Sequence, residues 1–284
     1  MGQYIDSNIK DVLINILLFI VLVLLLVIPA YFCYKVFLVD TQTQDNGIEK
    51  IEEEQINNEE ISQLEEIELG PTEPFYEFFP IIEDQQSYVV VPSKIDSSTP
   101  PTLILYSHGS NTTVTQNMED PFMKDLREYG EYFSKQNYIF AASNQHGVNW
   151  GNEASLRDTL NLKTWVSENY FIDSKINLIG FSMGGLPTMN FAAQNPELVS
   201  KIALLAPTTR KSEWNSSRVE KILDIDIQIW HGNADVNVPY SSTVGFVNTL
   251  KSLGKDIPLI TVEGKGHFDI DTEYMEDILT FFNS

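Results

Sequence analysis

The pattern of apolar and polar positions divides the chain into three stretches. From Val12 to Leu38 the residues are apolar, broken only by Asn15, Pro29, several aromatics, Cys33 and Lys35. About 20 apolar residues at helical rise cross a hydrocarbon core of about 30 Å, and Val12 to Tyr34 supplies that length without a charged side chain. The pattern therefore predicts one transmembrane anchor helix over residues 12–38, after a short N-terminal flank (1–11). Tyr31, Tyr34 and Lys35 sit where interfacial anchors belong. A cleavable signal would have an apolar core of only about 7–15 residues and a small-residue cleavage site, which Ile28-Pro29-Ala30-Tyr31-Phe32 does not provide. Lys10 and Lys35 balance the two flanks, and the short leading segment then places the rest of the chain outside the cytoplasm. The expectation is a single-pass membrane protein with the lipid bilayer as partner through residues 12–38 and an extracytoplasmic C-terminal domain.

Residues 39–74 have a different pattern. Between Asp40 and Glu73 there are twelve acidic residues against the single Lys50. Ile48, Ile51, Ile61, Leu64 and Ile67 have helix-like spacing, yet so much like charge without aromatics reads as a solvated, self-repelling spacer. A short dimerising coiled coil is the alternative. Gly70-Pro71 and Pro74 punctuate its end.

From residue 75 to residue 284 short β-branched runs alternate with helical stretches, the pattern of an α/β domain. Strands are predicted over 78–82 and 87–91, which pair, then over 102–107, 138–143, 176–181, 202–206, 227–230 and 258–262. Helices are predicted over 121–136, 153–169, 184–194, 241–253 and 271–282. The fold class is thus a mostly parallel sheet of about eight strands flanked by helices and preceded by one transmembrane helix.

Composition narrows the chemistry. The only cysteine, Cys33, lies in the apolar run, so the domain has no disulfide, zinc cluster or thiol nucleophile, and no metal or organic cofactor is expected. A formal charge of -22 argues against nucleic acid as a partner, because phosphate binding needs clustered Lys and Arg.

The strongest motif is Gly180-Phe181-Ser182-Met183-Gly184-Gly185, where the apolar run 176–179 passes into a helix. A Ser on so sharp a strand-to-helix turn is pushed out at the carboxyl end of the sheet, and its flanking glycines let neighbouring backbone come close. A neutral Ser needs a general base and a group to orient that base. Both are available downstream: Asp235 in the loop after Ile227–Trp230, and His267 in the glycine-flanked loop after Pro258–Val262. Asp224 and Asp226 precede their strand, and Asp269 and Asp271 are too close to His267 to be expected partners.

With Ser182, Asp235 and His267 in this order, residues 75–284 resemble the α/β-hydrolase superfamily, in particular its compact dienelactone-hydrolase-like and prolyl-oligopeptidase-like serine esterases. The resemblance implies Ser182 as nucleophile, His267 as general base and then acid, and Asp235 as orienter of the imidazole. It also implies an oxyanion hole from the backbone N–H of Met183 and of Ser110, in Tyr106-Ser107-His108-Gly109-Ser110-Asn111. Thr112 stands where the related motif has a second glycine, so Asn111 is an alternative to Ser110. His108 reads as a brace for this loop and His231 as structural.

His146 and Trp150 lie in the loop after the 138–143 strand and are candidate substrate contacts on the rim. Only residues 208–226 separate two successive strands where many relatives insert a helical cap, and an uncapped site favours small or polar acyl substrates. The expected function is hydrolysis of a small-molecule carboxylic ester through an acyl-enzyme. A peptidase or acyltransferase with the same triad, or a non-catalytic binding module, are the alternatives.

Overall fold

The structure is a computed structural model that describes residues 74–95 and 98–284. The expected flank, anchor and spacer lie outside the described residues, except for Pro74. Among the described residues no helix is long and apolar enough to cross a membrane. The longest, Glu153–Asn169, has 17 residues, five of them charged (Glu153, Arg157, Asp158, Lys163 and Glu168). At about 1.5 Å per residue it falls short of a hydrocarbon core of about 30 Å. The expected single-pass localisation and extracytoplasmic placement are corrected to this extent: no described helix supports them, and residues 12–38 lie outside the described residues.

Among the described residues nine strands form one mixed sheet, and their bounds are β1 (Phe75–Phe78), β2 (Ile81–Ile82), β3 (Gln85–Pro92), β4 (Thr102–Ser107), β5 (Tyr138–Ser143), β6 (Ile176–Phe181), β7 (Val199–Leu205), β8 (Asp226–Gly232) and β9 (Leu259–Val262). Among the described residues six α-helices accompany them: α1 (Pro121–Ser134), α2 (Glu153–Asn169), α3 (Gly185–Gln194), α4 (Ser216–Glu220), α5 (Tyr240–Ser252) and α6 (Met275–Phe282). The strand order is β1-β3-β5-β4-β6-β7-β8-β9, with β2 paired to β3. Pairing is antiparallel at β1/β3, β2/β3 and β3/β5, and parallel from β5 through β9.

Two of the expected elements change shape. The strand predicted over 78–82 is split into β1 and β2, because Pro80 between them has no N–H to donate to a ladder. Its carbonyl instead accepts the N–H of Ser87 at 2.9 Å. Glu83 and Asp84 close the β2–β3 hairpin at φ 46° and 64°, the hand that matches strand twist in a two-residue turn. The helix predicted over 271–282 starts only at Met275, after a 3₁₀ turn at Thr272–Tyr274. Asp271 does not cap it: its carboxylate accepts hydrogen bonds from Tyr129 Oη (2.9 Å) and Tyr106 Oη (3.2 Å).

The central strands β4, β5 and β6 are buried on both faces, which is why they read as continuous apolar runs. Their alternation divides the core in two. Leu103, Leu105, Ile139, Ala141 and Leu178 pack with residues of α2, α3 and α5, whereas Ile104, Tyr106, Phe140, Ala142 and Ile179 pack beneath α1 and α6. Each fully buried aliphatic or aromatic side chain stabilises this three-layer arrangement by about 1.5–3 kcal/mol. Helix starts are set locally: Asp120 caps α1 through the N–H of Phe122 with Pro121 next in line, and Asn152 caps α2 through the N–H of Ser155. The consequence for function is that the loops after β4, β6, β8 and β9 leave from the same edge of the sheet, where open α/β sheets bind ligands.

Candidate active site

Ser182 directly follows β6 and opens a 3₁₀ turn, Ser182–Gly184, that leads into α3. Its φ is +53°, a left-handed conformation unusual for a residue with a side chain. Two tertiary contacts hold it there. The Ser182 carbonyl accepts the N–H of Thr208 at 2.7 Å, tying the turn to the end of β7. Gly184 lies against the end of β4, where a Cβ would collide with the Ser107 carbonyl.

His267 reaches this serine from the loop after β9. Its Nε2 lies 2.8 Å from Ser182 Oγ, and its Nδ1 lies 2.7 Å from Asp235 Oδ2. All three side chains are buried. The Asp235 and His267 loops fit together because residue 232 is glycine, since a Cβ there would collide with the Lys265 carbonyl. The N–H of Ala234 donates to that same carbonyl at 3.0 Å.

Every lone-pair direction of the Asp235 carboxylate has a donor. Oδ1 accepts from the backbone N–H of Asn237 and Val238, both at 2.8 Å. Oδ2 accepts from His267 and also from His231 Nε2 at 3.2 Å. Burial by itself raises the pKa of Asp235, but the bonds from His267 and from the Val238 and Asn237 backbone outweigh it and hold the group below the usual carboxylate range. The pKa of His231 is likewise pushed down, chiefly by its burial, against the raising influence of the Val238 carbonyl and Asp235. A neutral His231 fits its surroundings: Nε2–H donates to Asp235 and Val238, and Nδ1 accepts from Thr243 Oγ1 at 2.9 Å.

In front of Ser182 and His267 opens a cavity of about 360 Å³. Ser110 and Asn111 line it from the loop after β4, and the backbone N–H of Ser110 makes no hydrogen bond among the described residues. Met183, the other expected oxyanion donor, follows the serine in the buried 3₁₀ turn. Trp150 also lines the cavity. His146 is not among the lining residues: its Nδ1 lies 2.6 Å from Asp158 Oδ2 on α2. His108 is fully buried with both ring nitrogens facing carbonyls, Gly109 at 2.7 Å and Asn144 at 2.9 Å, so it links the loops after β4 and β5.

Sequence reasoning missed several lining residues: Thr208 and Thr209 after β7, Asn237 and Ser242 after β8, and Phe268 beside His267. Their one signal is position, since each follows a parallel strand and so belongs to the same sheet edge. A cavity of about 410 Å³ lined by Glu153, Asn190, Arg218 and Lys221 lies elsewhere and contains none of the three candidate catalytic side chains.

Comparison with known proteins agrees with this architecture. A family model described as the alpha/beta hydrolase fold matches residues 140–226, a span that includes Ser182 but neither Asp235 nor His267. No curated protein matches the sequence. Among solved structures, a thermostable esterase is similar with a TM-score of 0.56 and 19% identity, over 74% of this chain and 62% of its own. The S-formylglutathione hydrolase of Agrobacterium tumefaciens is similar with a TM-score of 0.56 and 18% identity, over 73% of this chain and 92% of its own. A putative dipeptidyl aminopeptidase IV from Bacteroides ovatus reaches a TM-score of 0.60 at 15% identity, over 74% of this chain but only 35% of its own. At these identities the likenesses define the fold. The chain is an α/β-hydrolase-fold protein.

Proposed function

We propose that this chain is a serine hydrolase that cleaves carboxylic esters of small or polar acyl groups through an acyl-enzyme. The observation that carries this reading is the continuous hydrogen-bond path Ser182 Oγ–His267 Nε2, then His267 Nδ1–Asp235 Oδ2, at 2.8 and 2.7 Å. In this reading His267 takes the Ser182 proton as Oγ attacks the acyl carbon, and Asp235 fixes the ring orientation and stabilises the imidazolium. The proton then goes to the departing alcohol. Water, activated by the same His267, releases the acid.

The N–H groups of Met183 and Ser110 are the proposed donors to the tetrahedral oxyanion, each contributing about 3 kcal/mol to the transition state. Asn111 is the alternative second donor. An uncapped cavity with no acidic or basic residue in its lining other than His267 favours a neutral ester over a peptide selected by a charged terminus. The test is labelling of the full chain by a fluorophosphonate. Labelling that disappears in Ser182→Ala and falls sharply in His267→Ala supports an activated serine. A folded wild type that takes no label would leave only a binding role.

A further inference from the structure

The cavity has two features that catalysis itself does not require. The first is a set of idle hydrogen-bonding groups. Among the described residues the side chains of Ser110, Asn111, Thr208, Thr209, Asn237 and Ser242 line the cavity and make no hydrogen bond to the protein. These groups come from three separate loops, after β4, β7 and β8, and from the first turn of α5, so no single turn motif accounts for them. An amide offers a donor and an acceptor side by side, and a hydroxyl offers both on one atom, so the set suits a ligand carrying several neutral hydroxyls.

The second is a pair of aromatic side chains open to solvent. Trp150 is 45% exposed and Phe268 61%, and both line the same cavity. Trp150 is exposed without being loose. Asn149 Nδ2 donates to the carbonyls of Gln145 and Gly147, each at 3.1 Å, and Asn149 Oδ1 accepts the N–H of Gly151 at 2.8 Å. Asn190 on α3 then donates to the Gly151 carbonyl at 2.8 Å, and Gln145 donates to Ser107 and Thr159. A backbone bent to φ +48° at Trp150 is thereby fixed, and the indole is presented with little ordering left to do on binding.

We infer that the alcohol part of the substrate is a neutral carbohydrate, so that the enzyme removes an acyl group from a sugar hydroxyl. This rests on the serine-hydrolase reading above. The C–H face of a sugar ring is flat and apolar and stacks on Trp150, while its rim of hydroxyls meets the idle amides and hydroxyls. An aliphatic alcohol would leave those groups desolvated without partners, which penalises it. An anionic alcohol meets no Lys or Arg in the lining and a chain of formal charge -22. The reaction balances with water alone: the acyl carbon–sugar oxygen bond breaks as the bond to Ser182 Oγ forms, and the Ser182 proton passes through His267 to the sugar oxygen. Hydrolysis of the acyl-enzyme then yields the free acid.

The test compares the four monoacetates of methyl β-D-glucopyranoside with cyclohexylmethyl acetate, which has a similar ring without hydroxyls, on the full chain. At least one sugar acetate should exceed the cyclohexyl ester in kcat/KM by about tenfold or more. Trp150→Ala should raise KM for that sugar acetate by roughly tenfold with kcat within about twofold, and Trp150→Phe should recover most of the loss. If the wild type takes the fluorophosphonate and cleaves both ester types equally, the carbohydrate assignment falls and the serine-hydrolase reading stands. If the folded protein takes no label and cleaves neither, both fall.

Discussion

His231 Nε2 lies 3.2 Å from Asp235 Oδ2, the oxygen that also holds His267 at 2.7 Å. One carboxylate oxygen is therefore shared between two imidazoles with opposite duties, one next to the serine and one anchored in the core by Thr243. Replacing His231 by Leu removes a donor to Asp235 and should lower kcat by roughly tenfold, as loss of an orienting partner typically does. His231→Gln keeps an N–H near the Nε2 position and should recover part of it. Equal losses in both variants would mean that His231 acts by packing alone.

Ser182→Ala and His267→Ala should each reduce ester hydrolysis on the order of 10⁴-fold or more, and the double variant should be little worse than either single one. Multiplicative losses would show that the two residues do not work as a unit.

Gly184→Ala places a methyl group against the Ser107 carbonyl. Overpacking of this kind costs about 1–3 kcal/mol, and here it would also shift the serine turn relative to the loop carrying Ser110. Chemical denaturation should show the lower midpoint, and fluorophosphonate labelling should slow in the fraction that remains folded. An unchanged labelling rate would argue that the turn relaxes without moving Ser182.

Asp271 is pushed up to about 7, first by burial and then by Asp125 and Glu273, against the lowering effect of hydrogen bonds from Tyr129 and Tyr106. Because its folded pKa lies above the unfolded value, the folded state binds the proton more tightly. Its contribution to stability is complete below about pH 4 and is lost as the pH rises to about 7, by up to about 4 kcal/mol. Asp271→Asn keeps an acceptor for the two tyrosines but carries no titrating proton. Urea unfolding of wild type and variant between pH 4 and 8 should therefore differ in slope, with the wild type losing stability relative to the variant as pH rises. Parallel curves would contradict the assignment.

The parallel half of the sheet was legible in the sequence because a strand buried on both faces is a short run of apolar residues. The predicted spans at Thr102–Ser107, Tyr138–Ser143 and Ile176–Phe181 coincide with β4, β5 and β6. The antiparallel edge was less legible, since β1 and β2 are set by Pro80 and a tight turn rather than by hydropathy. The start of α6 was misplaced because Asp271 has the composition of a helix cap, yet it bonds instead to tyrosines that are distant in the chain.

For the candidate site, the sequence by itself determined the turn that carries Ser182 and the strand-end positions of Asp235 and His267, because these depend on local spacing around glycines. Only the tertiary structure decided that His231 shares Asp235, that His146 pairs with Asp158 and does not line the cavity, and that six idle polar side chains from three loops and the start of α5 face one space. The reason is physical: a strand-to-loop turn is set by its own few residues, whereas a cavity wall is set by strand order in the sheet, which brings residues more than a hundred positions apart to the same edge.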